Sequence, residues 1–149
     1  MTRTKTLPPT FFLGAVVLTL ILHFTLPLAQ LIQYPWRLLG FVSLVAGIVL
    51  NLVADQAFRR HKTTVKPFEK STALVTGGIF GLTRNPMYLG MELILLGGAI
   101  ALGSLTPFLA VVGMGVLFDR IFIIPEEIML EEIFGQAFRD YCRRVRKWI

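Results

Sequence analysis

Five consecutive residues, Arg84-Asn85-Pro86-Met87-Tyr88, set a guanidinium, an amide and a phenol immediately before an apolar run. Pro86 suits the first position of a helix, where its missing N–H is an orphan anyway, and the residue before a proline is biased out of the helical region. The sequence therefore predicts Asn85 as the cap and Tyr88 one turn inside. A helix start presents unpaired N–H groups and the positive end of the dipole, so the anionic part of a ligand is favoured there. A second cluster, Pro125-Glu126-Glu127, follows a later apolar run. Its carboxylates attract a cation, while Arg84 and the helix start attract an anion. A ligand carrying both charges suits a place where the two clusters meet.

The elements that hold these clusters are membrane spans. The hydrophobic fraction is 54%, the mean hydropathy +0.68 and the charged fraction 16%, values that do not describe a soluble domain. Apolar runs over about 10–32, 38–57, 87–102 and 107–124 predict an all-α bundle of about four transmembrane helices. The first run is read as a retained span, since no small-residue cleavage site follows it. A polar loop, 58–85, separates the second span from the third. Only a four-residue turn, Gly103 to Thr106, separates the third from the fourth. The tail, 125–149, mixes Ile128, Ile133, Phe134, Phe138 and Tyr141 with charges, and it predicts an amphipathic helix at the interface. The 149 residues are read as a single domain.

Fourteen of the 15 cations fall in the N-terminal segment, the long loop and the stretch from Arg120 to Lys147, against Arg37 alone elsewhere. The positive-inside rule then places both termini, the loop and the tail in the cytoplasm, in what small size suggests is a prokaryotic plasma membrane. The same rule accounts for the +6 charge without nucleic acid. A single cysteine, Cys142, and two separated histidines, His23 and His61, leave no ligand pattern for a structural metal.

In its motifs the chain resembles the isoprenylcysteine carboxyl methyltransferase family of integral membrane methyltransferases, relatives of the phospholipid methyltransferases. That family carries an Arg-His-Pro-x-Tyr turn, a hydrophobic helix, a Glu-Glu pair, and then a Phe-Gly and Tyr pattern near a basic C-terminus. Here stand Arg84-Asn85-Pro86-Met87-Tyr88, then Glu126-Glu127, then Phe134-Gly135, Phe138, Tyr141 and the ending Val145-Arg146-Lys147-Trp148-Ile149. The resemblance implies an S-adenosylmethionine pocket at the cytoplasmic face, formed by Arg84, Asn85, Pro86, Tyr88, Leu89, Gly90, Glu126 and Glu127. It also implies a small lipophilic or lipid-like acceptor arriving from the bilayer. Asn85 stands where the family has histidine; an amide keeps hydrogen bonding and loses acid–base work. Methyl transfer from a sulfonium needs positioning more than activation. Two residues are catalytic candidates. Arg120 would orient a carboxylate acceptor. Glu92, one turn from Tyr88, would take the proton of an amine or thiol, or else anchor the tyrosine hydroxyl.

Each residue also has an ordinary reading. Cations at the cytoplasmic face, Lys147 and Arg146 among them, serve as topology signals. Glu126 and Glu127, in the first turn of a helix, would favour its dipole whatever their function. Two other functions fit the composition: a four-span exporter with Glu92 as its proton-coupled carboxylate, and a non-catalytic scaffold whose charged tail docks a partner.

Overall fold

The computed structural model describes residues 7–60 and 73–149. Of the cations counted above, Arg3, Lys5, Lys62, Lys66 and Lys70 lie outside the described residues, as does His61. Helix α1 runs Pro8–Thr25, and α2 runs Leu39–Arg60 after a short 3-10 turn, Trp36–Leu38. Helix α3, Pro86–Leu102, opens on the motif proline. Helix α4, Leu105–Leu117, passes through a π-helical turn, Phe118–Ile123, into α5, Ile124–Phe134. After Gly135 comes α6, Gln136–Arg144. The fold is all-helical among the described residues, apart from an isolated bridge between Gln30 and Ser104. Three helices, Pro8–Thr25, Trp36–Arg60 and Leu105–Phe134, are long and apolar enough to cross a membrane, and α3 is a shorter apolar helix.

Two boundaries differ from the sequence reading, both at proline. The first helix ends at Thr25 rather than running on to 32, because Pro27 forces Leu26 out of the helical region, to φ −145°. The freed segment folds onto the turn between α3 and α4, where Leu31 and Ile32 donate to the Gly103 carbonyl at 2.8 and 3.0 Å and Leu105 donates to the Ala29 carbonyl at 2.9 Å. The second difference is at Pro125, which starts no new helix. Its ring cannot continue the ordinary ladder, and the helix widens by one residue just before it, with the Ile124 N–H reaching the Asp119 carbonyl five residues back. Glu126 and Glu127 are therefore inside a continuous helix of 30 residues, Leu105–Phe134, and not in the first turn of a separate tail.

Helix α3 is the centre of the bundle, packed along α2 and α4 and touched by α1, which itself lies on α4. Small residues seven apart let α2 and α3 meet backbone to backbone: Gly40, Gly47 and Ala54 on one, Gly90 and Gly97 on the other. The Ser43 hydroxyl adds a 2.8 Å bond to the Leu93 carbonyl across this seam. On the other side of α3, Tyr88, Met91 and Leu95 pack with Met114, Phe118, Phe122 and Ile123.

Gly103 ends α3 with φ +76°, and a Cβ there would lie 2.5 Å from the Ile32 carbonyl and 2.6 Å from Arg37 Nε. Gly103→Ala should therefore destabilise the protein by about 2 kcal/mol or more, the left-handed penalty plus the clash. A lower midpoint of unfolding in mixed detergent micelles is the expected reading; an unchanged midpoint would show that the turn between α3 and α4 yields freely.

Candidate functional site

The short turn between them makes α3 and α4 antiparallel, so the motif turn and the glutamate pair arrive at one depth. Asn85 occupies the cap position of α3, yet its side chain makes no capping bond. Its Nδ2 donates to the Lys147 carbonyl at 3.0 Å, and Thr83 Oγ1 donates to the same oxygen at 3.1 Å. The Arg84 N–H adds a 3.0 Å bond to the Arg146 carbonyl. The C-terminal residues thus lie against the motif turn as a strap.

Arg84 is the centre of this arrangement. Its Nε and Nη2 meet Glu127 Oε1 at 3.0 and 2.8 Å, while Nη1 donates to the carbonyls of Cys142 and Val145, both at 3.2 Å. Lys147 Nζ lies 3.7 Å from the other Glu127 oxygen and 3.0 Å from Asp119 Oδ1. Glu127 is therefore neutralised by two cations. Glu126 is not: its Oε2 accepts from the Tyr88 hydroxyl at 3.1 Å, and it has no cationic partner among the described residues. Ring contacts hold Tyr88 in place, with Phe118 at 5.2 Å edge-on and Phe122 at 6.3 Å stacked. From α6, Tyr141 donates to the Phe80 carbonyl at 2.6 Å, and burial pushes its phenol above the usual range although Arg84 pulls the other way.

Two cavities meet here. One of about 180 Å³ is walled by Leu7, Pro8 and Pro9 of α1 and Met87 and Met91 of α3, with Tyr88 beside them. A second, of about 60 Å³, has Glu127, Leu130, Phe138 and Tyr141 among its walls. Phe58, Phe80, Arg84, Asn85 and Glu126 line both. A carboxylate without a cation thus stands at the junction of an apolar and a more polar chamber. It can hold a positive charge or take up a proton.

Of the candidate cofactor-binding and catalytic residues, Arg84, Asn85, Pro86, Tyr88, Glu126 and Glu127 come together here, and Leu89, Gly90, Glu92 and Arg120 do not. Gly90 faces α2, where an added Cβ would meet Asn51 and the Gly47 carbonyl, so its smallness serves helix packing. Leu89 lines neither cavity. Glu92 faces Gly115 of α4 rather than Tyr88, and its Oε1 is buried with no hydrogen-bond partner among the described residues. The Tyr88 hydroxyl is anchored by Glu126 instead, because a contact across helices replaces the local one. Arg120 is exposed and lines a different groove, with Asp119 and Trp148. Asp55, a costly carboxylate at the end of the second run, finds Arg59 at 2.7 Å. Sequence reasoning missed Lys147, Thr83 and the Met87–Met91 wall. Only their nearness to the motif signals the last two, and Lys147 is one cation in a basic run.

The chain matches the phospholipid methyltransferase family over residues 36–137, more than half its length and including both clusters. It is also 36% identical over 63 residues to an uncharacterized protein of Haemophilus influenzae, a match that covers 42% of this chain and all of that protein.

Proposed function

From the premise that this chain belongs to the phospholipid methyltransferase family, a family of membrane methyltransferases, we propose that it transfers a methyl group from S-adenosylmethionine to a small lipophilic or lipid-like acceptor. The observation that carries this reading is Glu126, a carboxylate shared by two chambers and paired with a phenol rather than a cation. The donor set fits the cofactor, which has a cationic sulfur and a zwitterionic amino-acid end. When bound, it supplies an electrophilic methyl group.

The charged groups around the junction of the chambers suit this cofactor's charges. There Glu126 meets the positive charge, while Arg84, Asn85 and the start of α3 favour the anionic end. Tyr88 holds the Glu126 carboxylate by its hydroxyl and keeps it from turning toward Arg84. In the apolar chamber, Pro8, Pro9, Met87 and Met91 exclude water and accept an acceptor's apolar part. An amine or thiol acceptor would lose its proton to Glu126, the carboxylate at the junction, in place of Glu92. Exclusion of water strengthens each of these charge interactions. The cation distribution supports a site at the cytoplasmic face with both termini on that side, and small size favours a prokaryotic plasma membrane.

Titration of the detergent-purified protein with S-adenosylmethionine and S-adenosylhomocysteine tests the reading. Saturable binding is expected, weakened roughly 10- to 100-fold for S-adenosylmethionine by Glu126→Gln, a loss of a charge-assisted contact. Tyr88→Phe should weaken it less. Absence of binding by folded wild-type protein at millimolar ligand would overturn the proposal.

A further inference from the structure

Lys147 is held at both ends. Its carbonyl oxygen takes hydrogen bonds from Thr83 and Asn85 of the motif turn, at 3.1 and 3.0 Å. Its ammonium lies 3.0 Å from Asp119 and 3.7 Å from Glu127. The three side chains are only 20–29% exposed, so water screens their attraction incompletely.

Asp119 and Glu127 are eight residues apart, with the π turn between them. In a regular α-helix, eight residues advance by about 800°, leaving the two side chains some 80° out of line. One extra residue in the turn sets everything after it back by about 100°. The pair then behaves as if seven apart, two turns along one face, where a single ammonium can reach both. The same setback governs the next side chain, Glu126. It follows the fully buried Phe122 and Ile123 onto the face turned toward Tyr88. A regular helix through this segment would turn Glu126 away from the two chambers.

We infer that Lys147 is a positioning residue: it staples the π turn at Asp119 and Glu127 and so aims Glu126 at the junction of the chambers. The strap that carries Lys147 is fixed by the motif turn itself, which ties the cofactor-side residues of α3 to the register of α4 and α5. Lys147 touches no reacting atom in this arrangement, and its effect passes through the helix. That it acts on cofactor binding rests on the methyltransferase reading; that it fixes the π turn does not.

The test uses the full-length protein in detergent with two readouts, S-adenosylmethionine titration and amide hydrogen exchange. Lys147→Met and Asp119→Asn remove the staple from opposite ends, so a folding failure in one leaves the other informative. Both should weaken S-adenosylmethionine binding about tenfold, the size expected of coupling through a supporting element. Both should speed exchange over 118–127 while leaving α1 to α3 unchanged, which a general loss of packing would not do. Lys147→Arg should restore binding and exchange together. Wild-type affinity in both staple variants, or unchanged exchange over 118–127, would overturn the inference. Should the wild-type protein bind no ligand, the methyltransferase reading falls, and exchange alone decides the staple: a confined rise supports it and no rise overturns it.

Discussion

Arg84→Ala should release the C-terminal strap and abolish measurable cofactor binding. The guanidinium makes two contacts with Glu127 and one with each of two carbonyls, and its side chain is 13% exposed against 20% for Glu127. Truncation leaves Glu127 with Lys147 as its remaining cation, at 3.7 Å, and leaves the Val145 carbonyl without the Arg84 bond. Removing one partner of a largely buried ion pair costs about 3–5 kcal/mol, set against the bonds the strap keeps from Thr83, Asn85 and the residue 84 N–H and the Lys147 ion pairs. We expect binding to fall by more than about 100-fold, with new protease sensitivity after Glu127. Arg84→Lys should not restore it, because an ammonium cannot serve a carboxylate and two carbonyls in one plane. Intact binding in Arg84→Ala would show that the strap is held from elsewhere.

Gly97→Leu should be the most damaging substitution in the membrane-spanning part, and its neighbour supplies the control. A Cβ on Gly97 would lie 2.5 Å from the Gly40 carbonyl, 2.7 Å from the Leu44 nitrogen and 3.0 Å from Leu44 Cβ. The first two are backbone atoms in a helix and cannot give way, so α2 and α3 must separate. Overpacking costs about 1–3 kcal/mol for small additions and more when backbones are forced apart. Gly97→Ala should therefore lose about 2–3 kcal/mol, and Gly97→Leu should fail to fold. A Cβ on Gly98 meets nothing within 4 Å, so Gly98→Ala should be neutral or gain up to about 1 kcal/mol from helix propensity. Unfolding midpoints in mixed micelles distinguish the two. Equal losses at both positions would show that the seam is set by something other than glycine contact.

The apolar runs, the motif turn and the glutamate pair were legible because each rests on local chemistry: hydropathy over a span, a proline at a helix start, carboxylates beside it. Tyr88 was placed correctly one turn inside α3, but its partner was not, since spacing along one helix points to Glu92 and the observed bond crosses to Glu126. Pro125 was read as a beginning because a proline normally ends or starts a helix. The chain instead absorbs it by widening one turn, an event that no periodicity records. Lys147 was hidden for a related reason, since among the tail's cations only the register of the π turn distinguishes it. Gly90 shows the opposite error: a residue inside a functional motif whose neighbours across α2 explain it fully.

The unbroken helix from Leu105 to Phe134 also acts as a ruler. Thirty residues reach about 45 Å, against roughly 30 Å of hydrocarbon. Measured from its outer end, some 20 residues cross the apolar layer, and Glu126 stands about two residues beyond it. On the proposed reading, methyl transfer occurs at the level where acyl chains give way to headgroups. An acceptor would then be chosen partly by how far its nucleophilic atom sits from the bilayer midplane, so that chain attachment and depth discriminate before shape does.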